Sequence, residues 1–208
     1  MTTPAKICGV ILAAGASSRM GRDKALLPWP PQTQGPETLL SAAIITLKPV
    51  TDAVLVVAGR NAEQLTPIAE RCGALVVVNP APERGQFSSM QTGLRAALDH
   101  GCEAAMITPV DCPPLSPDSL AKLCTAFADA GSRGAWAVAP ESGGRRGHPL
   151  LASRELIHAL LAAPVTSNAR EVKHAHAEKF EYLAVPDPLL RVDVNTPEEY
   201  ARLAMKVE

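Results

Sequence analysis

Five short aliphatic runs constrain what this chain can fold into: Ile7–Leu12, Ala53–Ala58, Leu75–Val78, Ala104–Thr108 and Ala135–Ala139. Several are continuous, where a strand with one wet face would alternate polar and apolar residues. Continuous runs mark strands buried on both faces, as in mostly parallel sheets covered by helices. The segments between them carry a helical period. Leu120, Leu123, Cys124 and Phe127 follow the i, i+3, i+4, i+7 spacing of one helix face, and Met90, Leu94, Ala97 and Leu98 recur in the same way. Ser116-Pro117-Asp118 offers a cap, a proline at the first helical position and an acid in the first turn, and Thr196-Pro197-Glu198-Glu199 repeats that device. Ser88 and Gln91 have the spacing of a capping box. Helices are also expected over Arg154–Ala163 and Ala169–Lys179, and an exposed Pro- and Gln-rich loop over Pro28–Glu37. The alternation predicts an α/β fold of three α/β/α layers around a mostly parallel central sheet. At 208 residues, with no repeat and no clear boundary, a single domain over 1–208 is expected.

Charge and cysteine content narrow the function classes. Twenty basic and 21 acidic side chains leave a net charge of −1. No basic excess points to nucleic acid, so any polyanion site must be local. No apolar run is long enough to span a membrane and no leader pattern precedes the first one, which predicts a cytoplasmic protein. Five cysteines, at 8, 72, 102, 112 and 124, are an odd number without a C-x-x-C pair. They read as buried thiols rather than a disulfide framework or a zinc ribbon.

In open α/β sheets, ligands bind beyond the carboxyl ends of the strands. Two segments there carry chemistry. After the first run comes Leu12-Ala13-Ala14-Gly15-Ala16-Ser17-Ser18-Arg19-Met20-Gly21-Arg22-Asp23-Lys24. A turn of small residues can aim backbone N–H groups at phosphate oxygens, and Arg19 and Lys24 can neutralise them. It is neither G-x-x-x-x-G-K-[ST] nor G-x-G-x-x-G. After the fourth run comes Asp111, held by the rigid Cys112-Pro113-Pro114 that follows it. A carboxylate in that position suits Mg²⁺, which keeps several waters and needs few protein ligands.

The string L-A-A-G-x-S-x-R-M-G-x-x-K resembles the signature loop of the GT-A-like nucleotidyltransferases, in particular the MobA/MocA group that attaches a nucleotide to molybdopterin. The resemblance extends through most of the chain in the family's order and implies a Rossmann-like GT-A fold. By that likeness Leu12, Ala13, Ala14, Gly15 and Ser17 contact the nucleotide, while Arg19 and Lys24 bind its triphosphate. Asp111-Cys112-Pro113-Pro114-Leu115 resembles the D-M-P-x-L segment, which implies Mg²⁺ on Asp111. Asp193-Val194-Asn195-Thr196-Pro197-Glu198-Glu199 resembles the D-I-D-T-P-E-D ending, which implies a second carboxylate, Asp193, near the metal. Gly85-Gln86-Phe87-Ser88-Ser89 resembles a segment that places Ser88 and Ser89 at the site. Gly143-Gly144-Arg145-Arg146-Gly147-His148-Pro149 resembles the G-x-x-G-H-P stretch of cytidylyl-transferring members, with His148 and the two arginines toward an anionic acceptor.

The family's expected reaction is transfer of a nucleotide monophosphate from an NTP to the phosphate of molybdopterin, with release of pyrophosphate and passage of the product to a recipient molybdoenzyme. Arg19, Lys24 and Asp111 are the expected catalytic group. Ala14, where guanylyl-transferring members carry Gly, favours CTP. One departure is Thr166-Ser167-Asn168-Ala169-Arg170, which lacks the acid of the cytidylyl members' G-D-x-G-A-R. Two other readings fit the same loop: a transferase for a sugar or polyol phosphate, and a non-catalytic nucleotide-binding or cofactor-delivery module for a molybdoenzyme.

Overall fold

A computed structural model describes residues 5–31, 37–164 and 166–203. Residues 32–36 of the expected loop lie outside the described residues. Eight strands of the described residues form one sheet: β1 (Ile7–Leu12), β2 (Ala53–Ala58), β3 (Leu75–Val78), β4 (Ala104–Pro109), β5 (Ala137–Ser142), β6 (Arg145–Arg146), β7 (Leu150–Ser153) and β8 (Phe180–Ala184). The order β3-β2-β1-β4 is parallel throughout. β7 then runs antiparallel between β4 and β5, β6 pairs with the end of β5, and β8 lies parallel to β5 on its far edge.

Among the described residues seven helices flank the sheet: α1 (Leu39–Leu47), α2 (Ala62–Arg71), α3 (Gln86–Asp99), α4 (Pro117–Ser132), α5 (Arg154–Ala162), α6 (Ala169–Ala175) and α7 (Pro197–Leu203). Successive side chains of a strand point to opposite faces, and β1 shows the sorting. Ile11 joins Leu40, Ile44, Leu65, Leu120 and Leu123 on the face covered by α1, α2 and α4. Cys8, Val10 and Leu12 join Leu94, Leu156, Ile157 and Leu160 on the face covered by α3, α5 and α6. The three layers are those expected. Burying each Leu or Ile contributes roughly 1.5–3 kcal/mol, and aromatics contribute little to either face. The approach of α3 is closest at Gly93, where a β-carbon would lie 2.6 Å from Val10 Cγ1 and 2.7 Å from Val57 Cγ2. A third, smaller cluster joins Met20, Leu27 and Leu39 to Val194, Tyr200 and Leu203, fastening α7 onto the chain that follows β1.

Three expectations need correction. α3 begins at Gln86 rather than after Ser88, because Gly85, at φ +91°, already turns the chain out of the short 3-10 turn Pro82–Arg84. Gln91 therefore makes no capping box and instead donates to the carbonyls of Leu160 and Ala163. The segment expected as one helix over Ala169–Lys179 is α6 followed by a separate 3-10 turn, Ala177–Lys179. Cys8 and Cys102 are paired in a disulfide with a Cα–Cα distance of 5.9 Å, not left as thiols. Pairing of Ile7 with Ala104 brings their neighbourhoods together, which a separation of 94 residues conceals in the sequence. Cys72, Cys112 and Cys124 are free and half-buried. Among the described residues no helix is long and apolar enough to cross a membrane.

Candidate functional site

A cleft of about 910 Å³ opens beyond the carboxyl ends of β1 and β4. The loop after β1 forms one wall. Ser17 takes φ +48°, uncommon for a residue with a side chain. Its carbonyl accepts from the N–H groups of Met20 (3.0 Å) and Gly21 (3.2 Å), and its Oγ accepts from Lys24 N (3.1 Å). Ser17 thus ties the loop together from inside. Asp23 caps the 3-10 turn Lys24–Leu26 by accepting from Ala25 N at 2.9 Å. Leu12, Ala13, Ala14, Gly15, Ser17 and Lys24 all line the cleft, whereas Arg19 is not among its lining residues.

Lys24 is the point of convergence. Its Nζ donates to Asp111 Oδ2 at 2.8 Å and to Asn195 Oδ1 at 2.9 Å, with the lysine side chain 12% exposed and the aspartate 29%. Arg19 Nη2 reaches the same Asn195 oxygen at 3.3 Å. Asn195 is held in turn by α7: Glu199 accepts from the backbone N–H groups of Asn195 and Thr196, while Thr196 Oγ1 accepts from Glu199 N. This reciprocal cap fixes the helix start. The strand end carrying Asp111 is joined to the same segment, since Val194 N donates to the Asp111 carbonyl at 2.9 Å.

Behind these groups lies a small second cavity lined by Thr108, Cys112, Pro113, His148 and Pro149. Cys112 Sγ donates to Asp193 Oδ1 at 3.3 Å. Burial, and then the charges of Asp111 and Asp193, push its thiol pKa far above the ordinary range, so it stays protonated. His148 faces this cavity rather than the main cleft. Burial lowers its pKa and favours the neutral ring, while among the described residues its buried Nδ1 has no hydrogen-bond partner.

The opposite wall of the cleft is the start of α3. Ser89 lines it; Ser88 sits just behind. Asn79, 3% exposed at the end of β3, donates to Ser88 Oγ (2.9 Å) and Ser89 Oγ (3.0 Å). Sequence reading missed Asn79, and also Arg60, Asn61 and Gln64, which follow β2 and line the cleft. Asn61 donates to the Ala13 carbonyl at 2.8 Å and to Asp23, and accepts from Gly59 N at 3.0 Å. It pins the first loop to the second. The signal was available: all of these follow the carboxyl ends of expected strands.

The two arginines of the β5–β6 hairpin lie at the same end of the sheet, across β4 from the cleft. The Arg146 guanidinium stacks 4.0 Å from the centre of the Tyr182 ring, and Lys173 stands 5.3 Å from that ring. Arg191 donates to Ser142 Oγ at 3.3 Å. Among the described residues none of Arg145, Arg146 and Arg191 forms an ion pair with an acid. The structure therefore presents two adjacent basic regions, one at Lys24 and Arg19, the other at the hairpin, with Asp111 and Asp193 toward the first.

For a divalent cation, the donor set is sparse. Among the described residues no group of three or more His, Cys, Asp or Glu side chains is arranged to hold a metal by itself. Asp111 lines the cleft, whereas Asp193 does not and accepts from Cys112; one cleft carboxylate fits Mg²⁺ if substrate phosphates and water complete the shell, and it does not fit zinc, which takes a closed N/S set.

Residues 9–180 match the model of the MobA-like NTP transferase domain, and the chain belongs to that family. A probable molybdenum cofactor guanylyltransferase of Mycobacterium avium is 35% identical over 128 residues, 60% of this chain and 61% of that protein. The chain thus spans less than two thirds of that relative. The molybdenum cofactor cytidylyltransferase of Escherichia coli K12 is 26% identical over 92% of each chain. The crystal structure of Rv0371c from Mycobacterium tuberculosis H37Rv is similar with a TM-score of 0.77 and 25% identity, over 98% of this chain and 100% of that one.

Proposed function

We propose that this member of the MobA-like NTP transferase family is a single domain, over 1–208, that moves a nucleotide monophosphate from CTP to the terminal phosphate of molybdopterin. The observation that carries the reading is the convergence of Lys24, Asp111 and Asn195 at the mouth of the cleft. A lysine between a strand-end carboxylate and a loop of small residues suits a triphosphate with its cation, since each ligand charge finds its opposite there. The chain's own groups then have distinct tasks. The Leu12–Ser17 backbone and Ser89 hold base and ribose. Lys24 and Arg19 take up charge on the β- and γ-phosphates. Asp111, with Asp193, would hold Mg²⁺, which would supply positive charge to the phosphate oxygens. An acceptor phosphate oxygen attacks the α-phosphorus, the new P–O bond forms, and the bond to the β-phosphate breaks to release pyrophosphate. No protein nucleophile is needed, consistent with a Cys112 thiol held protonated.

Relatives carry both cytidylyl and guanylyl names, so support for CTP is local. Ala14 lines the cleft, and a β-carbon on Gly59 would lie 3.2 Å from the Ala14 methyl and 3.1 Å from Pro82. On this reading a base stacked beside Ala14 meets a methyl that a glycine would lack, and the larger purine is disfavoured. Arg145 and Arg146 suit the acceptor's phosphate, and a molybdoenzyme would be the recipient of the product. The test is pyrophosphate release with molybdopterin, Mg²⁺ and each of CTP, GTP and ATP. Release with CTP supports the whole reading. Release with GTP alone rejects the role given to Ala14, and release only with sugar or polyol phosphates rejects the acceptor. Nucleotide binding without release marks a delivery module.

A further inference from the structure

The side chain of Asn79 has a single orientation that its neighbours permit. Its Oδ1 accepts from the backbone N–H of Ala81 at 3.0 Å, a group that can only donate. Turned over, the amide would set one donor against another. Its Nδ2 must therefore supply both of its protons elsewhere, and they go to Ser88 Oγ and Ser89 Oγ. Ser88 spends its own proton on the carbonyls of Gly85 (2.8 Å) and Ala81 (3.2 Å), which can only accept. Ser89 differs. It is 4% exposed, it lines the cleft, its Oγ accepts from Asn79, and among the described residues its hydroxyl proton is given to no protein acceptor. Its proton is therefore free to be offered into the cleft.

We propose that Asn79 is a positioning residue that fixes Ser89 as a hydrogen-bond donor toward the cleft, so that the site selects a nucleobase presenting a ring carbonyl there. The inference rests on the transferase reading above. Cytosine and guanine each carry a ring carbonyl and adenine carries none, so discrimination against adenine would come from donor polarity as well as from shape. Losing one such bond in a dry site weakens binding by about tenfold.

The test is equilibrium binding of CTP, GTP and ATP, each with Mg²⁺, to wild type, Ser89→Ala, Ser89→Thr and Asn79→Asp. In the aspartate variant the acceptor-only carboxylate would draw the Ser89 proton inward and reverse its polarity. The expected result is that Ser89→Ala and Asn79→Asp each lose about tenfold for the preferred carbonyl-bearing nucleotide and little for ATP, while Ser89→Thr keeps the preference. An equal loss for all three nucleotides, or no loss, overturns the proposal, since packing alone would not change the ratio. Ser89→Ala, isosteric apart from the hydroxyl, decides the matter if Asn79→Asp does not fold. If the wild type binds none of the three, the transferase reading falls and this proposal falls with it. If the wild type binds and the ratios stay fixed, only this proposal falls.

Discussion

Strands β1 to β4 and strands β5 to β8 share one sheet but are built by different means. In the first set every neighbour is parallel, every crossover carries a helix, and the cleft opens where β1 and β4 end. In the second set β7 runs against both its neighbours and β6 is two residues long. The first half positions charge with backbone that follows directly from a strand. The second half positions it with a hairpin, a stacked arginine and turns that return from far along the chain. The first loop is one local stretch, yet the partners of its lysine, Asp111 and Asn195, come from 87 and 171 residues further along the chain.

The sharpest test of that division is chemical. Asp111→Asn or Lys24→Ala is expected to reduce nucleotidyl transfer by about 10²–10³-fold, the effect of removing one charge-stabilising group. Steady-state pyrophosphate release measures it, and an unchanged far-UV spectrum shows that the fold persists. A comparable loss from Arg145→Ala would erase the distinction between the halves. Gly93→Ala comes next, in stability rather than rate. Its methyl meets two β-branched side chains in the parallel half, so a cost of about 1–3 kcal/mol is expected in urea unfolding. A wild-type midpoint would mean that α3 stands further from β1 and β2.

Asp187 probes the seam between the halves. It is 7% exposed and accepts from the backbone N–H groups of Ser116 and Leu189 and from the Ser119 hydroxyl. Burial pushes its carboxyl pKa up, but the N–H groups of Ser116 and Leu189 with the serine hydroxyls outweigh it and hold the pKa below its usual value. Asp187→Ala is expected to cost about 1–3 kcal/mol at neutral pH. A depressed pKa gives stability that is present above the unfolded value, about 3.9, and is lost as pH falls through the folded one. The gap between wild type and variant should therefore close as the pH drops below about 4. A gap that persists in acid would show that the anion is not what the seam needs.

Arg146→Ala should raise the KM for the acceptor by about three- to tenfold while leaving kcat and nucleotide binding nearly unchanged, since it removes one exposed cation stacked on Tyr182. The smallest effect is expected from Lys122→Ala. Its pair with Asp118 on α4 is a solvated i,i+4 contact, 59% and 76% exposed, and its loss should fall within about 0.5 kcal/mol.

The same division explains what could be read in advance. Ile7–Leu12, Ala53–Ala58 and Leu75–Val78 occur as strands with the bounds that their apolar runs suggest. A short window contains everything such a strand needs. β7 and β8 were not anticipated, because Leu150–Ser153 and Phe180–Ala184 are short and gain their identity from pairing with β5. Lys24 and Asp111 could be named from local strings, whereas Asn195 was given no role of its own at the site. Its link to Lys24 spans 171 residues and depends on α7 docking over Met20 and Leu27. His148 was expected toward the acceptor, yet it faces the small cavity beside Cys112, since the loop returns beneath the cleft before β7 begins.

That long link has a consequence in time. A ribosome adding about 5–20 residues per second needs roughly 9–34 s to go from Lys24 to Asn195. Throughout that interval the first loop exists without the amide that steadies its lysine, and α7 has not yet covered Met20 and Leu27. A nascent chain is therefore expected to grip a triphosphate weakly however well its first strands have formed. Lys24 gains its contact with Asn195 only once the last helix has been made.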